Sequence, residues 1–171
     1  CGALAGRSPI MNAVLDHGAR GGAVMGICNG FQILTETSMV PGVLIRNAGL
    51  KFSCRNVGLQ LCETLASPFT DSLDPSENLT IPIAHNEGNY FADVDELDRI
   101  EGNGQVAFRY AASDAVGAVN PNGASRDIAG VLSSNGRVLG MMPHPERAMS
   151  KLHGGTDGAK FLLKSLEALV S

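Results

Sequence analysis

The stretch Ala23-Val24-Met25-Gly26-Ile27-Cys28-Asn29-Gly30-Phe31-Gln32-Ile33-Leu34-Thr35-Glu36 decides the fold. Its first six residues form a continuous apolar run without alternation, the pattern of a buried parallel strand, and Phe31 to Glu36 continues as helix. The junction, Gly26-Ile27-Cys28-Asn29-Gly30, has the form of a nucleophile elbow, a strand-to-helix turn with small residues two positions before and after the nucleophile. Cysteine stands where such turns usually carry serine. The following helix places its positive end at Cys28, which favours thiolate. A free cysteine of pKa about 8.5 is still only a few per cent thiolate at pH 7, so a base must be near. The ordinary alternative is a small buried hydrophobe. Strand, glycines and helix agree in favouring the nucleophile.

Outward from the elbow, strands and helices alternate. Pro9 to His17 suits a helix with Ser8 as N-cap, Pro9 at its first position, Gly18 just past its end and an apolar face of Ile10, Val14 and Leu15. After a turn at Pro41-Gly42, residues 52 to 63 read as a half-exposed strand with Val57, Leu59 and Leu61 on one face. Leu79 to Ala84 alternates likewise, and Pro82 marks it as an edge strand or a short one. A polar segment from His85 to Tyr90 follows, then a helix over Asp93 to Glu101 and a strand over Val106 to Tyr110. The loop from Ala112 to Arg126, rich in Gly, Asn and Pro, is long enough to suggest function. Ile128 to Ser133 and Arg137 to Met142 flank Asn135-Gly136, a strong hairpin signal. Asp157 to Val170 closes the chain as an amphipathic helix burying Phe161, Leu162, Leu166 and Leu169. The pattern is that of one α/β domain over residues 1–171 with a mixed sheet.

Composition agrees. The 171 residues suffice for one domain with a hydrophobic core, and 18% charged residues against 44% apolar ones rule out global disorder. The net charge of −4 argues against general attraction to nucleic acid or anionic membranes. No stretch reaches the roughly 18 apolar residues of a membrane span, and no export signal is legible, so a cytoplasmic protein is expected. The cysteines, Cys1, Cys28, Cys54 and Cys62, lack zinc-like spacing. Cys54 and Cys62 read as packing residues, and Cys1 is uninformative.

Four histidines compete as the base. His17 is better explained as a cation at a helix C-terminus, and His153 lies in a Gly-rich loop without an orienting carboxylate. His85 follows a strand and precedes Glu87, a real competitor. His144 also follows a strand end, with Glu146 two residues on and Pro145 stiffening the link. A carboxylate on one ring nitrogen fixes the tautomer and leaves the other nitrogen to take the thiol proton. Gly102-Asn103-Gly104-Gln105-Val106-Ala107 fits the dinucleotide pattern but precedes a strand where it should follow one. There is no Walker A sequence, so any ATP belongs to a partner. A metal at His144 and Glu146 would lack further ligands at recognisable spacing.

Gly26 to Leu34, together with Gly140-Met141-Met142-Pro143-His144-Pro145-Glu146-Arg147-Ala148, resembles the class I glutamine amidotransferases. Within them it is most similar to the small glutaminase subunits of the phosphoribosylformylglycinamidine synthases of purine biosynthesis. Phe52-Ser53-Cys54-Arg55, Pro82-Ile83-Ala84-His85, Glu87-Gly88-Asn89-Tyr90 and Asn120-Pro121-Asn122-Gly123 support the likeness in the family's order. It implies a three-layer, flavodoxin-like α/β fold with a mixed, mostly parallel sheet. It also implies that Cys28 attacks glutamine to form a thioester, with His144 as base and acid oriented by Glu146. By the same likeness Gln32 and Arg55 would face the bound glutamine, and His85 would belong to a loop near the active site or partner surface. The chain itself would need no cofactor. The ammonia would pass to a synthetase subunit that holds ATP and Mg, joined by a small bridging subunit. Asn86 departs from an expected glycine, and Asn56 from a larger or charged residue. The family's fold opens with further strands and a Pro-Gly-Gly loop that supplies half of the oxyanion hole, so this chain is expected to be N-terminally incomplete. The N–H of Asn29 would give the other half.

On the residues alone two further readings stay open. One is another elbow-cysteine hydrolase, such as a peptidase. The other is a catalytically impaired binding module that docks on the synthetase.

Overall fold

The computed structural model describes residues 2–112 and 120–170. The elements run α1 (Gly2–Ala5), α2 (Pro9–Ala19), β1 (Val24–Ile27), α3 (Asn29–Glu36), β2 (Val43–Ile45), β3 (Ser53–Leu61), β4 (Leu79–His85), β5 (Asn89–Phe91), α4 (Val94–Gly102), β6 (Val106–Ala111), β7 (Ile128–Leu132), β8 (Val138–Met141) and α5 (Asp157–Val170). Short 3-10 turns at Ser125–Asp127, Pro145–Arg147 and Lys151–His153 interrupt the later loops. Of the long loop expected over residues 112–126, positions 113–119 lie outside the described residues.

Six strands form one sheet in the order β1-β8-β7-β6-β3-β4, and β2 pairs with β5 in a separate two-stranded sheet. The mixed α/β sheet is present. Its balance differs from a mostly parallel one: among the described residues β1 and β8 run parallel, while the other four ladders of the large sheet are antiparallel. The hairpin at Asn135-Gly136 explains part of this, because a connection as short as residues 133–137 joins only antiparallel strands. Gly136 takes φ +69° at the close of the turn in which its N–H donates to the Ser133 carbonyl, the left-handed place that glycine fills in longer hairpin loops.

Helices cover both faces of the sheet. Residues 140 and 141 of β8 point to opposite faces. A Cβ at Gly140 would fall 2.1 Å from the Phe31 ring, so α3 lies tight on that face. On the other face Gly130 neighbours Met141 and Phe108, and Phe108 meets Phe161 of α5 edge-on with centroids 5.7 Å apart. The result is a three-layer α/β/α arrangement. The core between the layers holds Phe31, Leu59, Ile81, Phe108, Leu139 and Phe161, each at most 1% exposed.

Several local expectations are corrected. β1 is an edge strand whose one partner among the described residues is β8, and three of its four residues are half-buried. α2 runs through Gly18 to Ala19. Its buried apolar residue is Met11, Ile10 is exposed, and Ser8 makes no side-chain cap bond. The segment His85 to Tyr90 contains the start of β5, whose partner β2 was not foreseen; three-residue strands carry too little alternation to detect. In α5 the buried stripe is Gly158, Phe161 and Ser165, which leaves Leu166 exposed. Ser165 can take the buried place because its hydroxyl donates to the Phe161 carbonyl. Cys62 packs against the core as expected, whereas Cys54 is exposed on β3.

β4 is the edge strand that Pro82 announces. The N–H and C=O of a strand residue point to the same edge. At Pro82 that edge is open, so the missing N–H disrupts no ladder. The Pro82 carbonyl instead accepts the backbone N–H of His144 at 2.8 Å. The edge strand thereby fixes the start of the His144-Pro145-Glu146 turn.

Candidate active site

Parallel pairing of β1 with β8 brings the elbow and the histidine turn together. Gly26 stands opposite Gly140 and Ile27 opposite Met141, so both strands end at the same level. The backbone N–H of Cys28 continues the ladder by donating to the Met141 carbonyl at 2.9 Å. Three residues beyond Met141 is His144.

Cys28 occupies the position just before α3 with φ +52° and ψ −104°, a left-handed conformation that non-glycine residues rarely adopt. This is the strained elbow. Gly26 is sterically required, since a Cβ there would lie 2.4 Å from Leu34 and 2.7 Å from the Gly30 carbonyl carbon. The same does not hold of Gly30, where a Cβ would meet nothing within 4 Å. Its backbone, packed close to Gly26, is what the turn uses.

Burial favours the neutral thiol at Cys28. Partial burial pushes the Cys28 pKa above its ordinary value, against the smaller opposing effects of the Asn29 backbone N–H and the Arg147 cation. The helix end that was expected to favour thiolate is outweighed by desolvation. A base must therefore remove the proton during reaction.

His144 is 7% exposed, and its Nδ1 stands 2.6 Å from Glu146 Oε1. That contact keeps the proton on Nδ1, which donates to the carboxylate, and leaves Nε2 a lone pair. Arg147 Nε lies 3.6 Å from the same oxygen. Cys28, Asn29, Gln32, His85, His144 and Arg147 line one cavity of about 390 Å³. Two larger clefts of about 560 and 430 Å³ carry no cysteine or histidine among the described residues that line them.

The remaining candidates divide. Asn29 and Gln32 stand on the first turn of α3 at the cavity, and Gln32 Nε2 donates to the Glu87 carbonyl at 2.9 Å. Arg55 is exposed on β3 and is not among the lining residues. It pairs with Ile83, one ladder position from the Cys54–Ala84 pair, of which Ala84 lines the cavity. Among the described residues no group of three or more His, Cys, Asp or Glu is arranged to hold a metal.

Sequence reasoning missed Asn47 and left Asn122 without a role. Asn47, 2% exposed, binds the carbonyls of Lys51 and His85 through Nδ2, while its Oδ1 meets the Gly88 N–H and His85 Nδ1. Asn122 donates to the Gly88 carbonyl at 2.7 Å. Both hold the segment 85–88 against the cavity. An asparagine 38 residues from its partner gives no local signal, although the Asn120-Pro121-Asn122-Gly123 cluster marks a turn.

Comparison with known proteins agrees with this geometry. Residues 3–157 match the family described as the CobB/CobQ-like glutamine amidotransferase domain. Over 158 residues the chain is 56% identical to phosphoribosylformylglycinamidine synthase subunit PurQ of Roseobacter denitrificans, covering 92% of this chain and 68% of that protein. It is 50% identical over all 171 residues to the PurQ subunit of Jannaschia sp., covering 73% of it. The solved structure of PurLQS from Thermotoga maritima superposes with a TM-score of 0.83 at 39% identity, over 98% of this chain and 72% of that one. The glutaminase domain of Trypanosoma brucei CTPS, at 11% identity and TM-score 0.54, shares the fold. An elbow cysteine and a carboxylate-bound histidine just beyond the ends of adjacent parallel strands, within a matching domain at this identity, place the chain in the glutamine amidotransferase family.

Proposed function

We propose that this chain is the glutaminase component of phosphoribosylformylglycinamidine synthase and supplies ammonia to purine biosynthesis. The convergence of Cys28 and the His144–Glu146 pair on one cavity is the observation that carries the chemistry. The PurQ relatives and the PurLQS structure support the assignment to that synthase.

In the first half-reaction Cys28 Sγ bonds to the side-chain carbonyl carbon of glutamine as its proton passes to His144 Nε2. Glu146, accepting from Nδ1, stabilises the imidazolium so formed. The developing oxyanion receives the backbone N–H of Asn29, which already lies against the Cys28 sulfur. His144 then gives its proton to the leaving nitrogen, the C–N bond breaks, and ammonia departs from a γ-glutamyl thioester. In the second half-reaction water loses a proton to the same Nε2 and attacks the thioester carbon. The C–S bond breaks, the thiol recovers its proton and glutamate leaves. Gln32 contributes to the glutamine-facing wall.

The ammonia passes to an ATP-dependent synthetase subunit, which with its Mg carries out the amidination, and a small bridging subunit completes the complex. The test is ammonia release from glutamine by the assembled complex, with and without Cys28→Ala. Release by the wild type that falls to background in the variant is expected. Equal rates would overturn the reading.

A further inference from the structure

Two buried side-chain polar atoms among the described residues find no hydrogen-bond partner, His144 Nε2 and His85 Nε2. The first is the proposed base. The second has no part in the mechanism above, yet it belongs to a ring that forms part of the same cavity wall and is 4% exposed. A buried acceptor left unpaired is costly, and native structures retain one where a ligand or a reaction uses it.

The state of that ring is set from outside. Asn47 Nδ2 is committed to the carbonyls of Lys51 and His85, which fixes the amide so that Oδ1 faces His85 Nδ1 at 3.0 Å. An amide oxygen only accepts, so Nδ1 of His85 carries the proton and Nε2 carries the lone pair. Gly88 lets the ring lie where it does, since a Cβ there would fall 2.4 Å from the imidazole. The residues that line the cavity thus include two histidines, each with a buried imidazole acceptor, and one cysteine, and a primary carboxamide brings two N–H donors.

We infer that Asn47 and His85 form an amide-reading pair: His85 Nε2 accepts an N–H of the substrate's terminal carboxamide and holds the departing nitrogen, while Asn47 fixes the tautomer that makes this possible. The inference rests on the glutaminase reading and adds its specificity. A carboxylate or ester oxygen at the same place would set lone pair against lone pair, so the pair selects amide over product acid. No covalent bond of His85 changes. The thiol proton still travels through His144 to the nitrogen, and His85 keeps its own proton on Nδ1 throughout.

The test compares glutamine with the γ-methyl ester of glutamate, which has the same acyl group and no N–H to donate, in the assembled complex. His85→Phe keeps a ring and removes the acceptor; Gly88→Ala keeps the acceptor and displaces the ring. Both are expected to lower kcat/KM for glutamine by about 10- to 100-fold and to leave the ester rate within about threefold. His85→Gln, which can again offer an oxygen, is expected to recover part of the amide rate. Equal loss on both substrates, or no loss on either, overturns the inference while a working wild type leaves the glutaminase reading standing. A wild type that hydrolyses neither substrate overturns that reading, and this one with it.

Discussion

The backbone N–H of Cys28 donates to the carbonyl of Met141 at 2.9 Å, which ties the nucleophile to the strand that delivers the base. Neither group sits on a free loop. Cys28 directly follows β1, and His144 is anchored by its own N–H on the Pro82 carbonyl of β4. The two reacting side chains are therefore placed by sheet register, the most rigid reference the fold offers.

The orientation of His144 by Glu146 can be tested without disturbing that register. Glu146→Gln keeps the shape and removes the charge that stabilises the imidazolium. Because the Glu146 side chain is 45% exposed, water replaces part of its effect, and a fall in kcat of about 10- to 1,000-fold is expected, smaller than for a fully buried triad acid. Steady-state ammonia release measures it. An unchanged kcat would remove Glu146 from the mechanism.

A second variant acts from outside the cavity. The start of α5 presses on the turn after His144: a Cβ at Gly158 would lie 1.9 Å from the Pro145 carbonyl oxygen, and the Ala159 N–H donates to the Ala148 carbonyl. Gly158→Ala must push that turn and shift His144 and Glu146 together. A displacement near 1 Å lowers turnover by about 100-fold, and this loss is expected with KM for glutamine little changed. Full activity would show that α5 does not set the turn.

The burial of His85 makes stability fall in mild acid. Burial, with His144 as the nearby charge when protonated, lowers its pKa from 6.5 to about 4 in the folded protein. Above pH 6.5 the ring is neutral in both states and contributes no pH dependence. As pH falls from 6.5 towards 4 the unfolded chain binds a proton that the folded chain refuses, so stability declines by up to about 3 kcal/mol and then levels. Urea midpoints of the wild type and His85→Phe between pH 7.5 and 4.5 measure this. The gap between the two proteins should narrow or reverse on acidification; parallel curves would contradict the assignment.

The helix after β5 offers a purely local check. Asp93 Oδ1 accepts the Glu96 N–H at 2.9 Å and caps α4. Asp93→Ala should cost about 1 kcal/mol of stability and leave glutamine hydrolysis unchanged, as read by a denaturant midpoint and an activity assay. A loss of activity at constant stability would show that α4 reaches the site.

What could be read from sequence follows how local each cause is. The elbow was legible because glycine, strand and helix lie within a dozen residues, and His144-Pro145-Glu146 because its contact spans two. The hairpin at Asn135-Gly136 and the edge strand at Pro82 were legible for the same reason. The exposure of Leu166 was not, since Ser165 takes the buried place by bonding its own helix. Arg55 is exposed on β3 and is not among the lining residues, and a strand position by itself does not show where along the ladder a cavity lies. Asn47 and His85, 38 residues apart, meet only when β4 ends beside the Asn47 loop. The thiol's resting state also needed the structure, because helix end and burial act in opposite directions and only their balance matters.

The most direct measurement is covalent capture. The complex is incubated with an electrophilic diazo-ketone analogue of glutamine, and the modified peptide is identified by mass. A single adduct on Cys28, blocked by excess glutamine and absent in Cys28→Ala, is the expected result. An adduct on Cys54 or Cys62 with Cys28 untouched, or no adduct in a complex that still releases ammonia, would contradict the account.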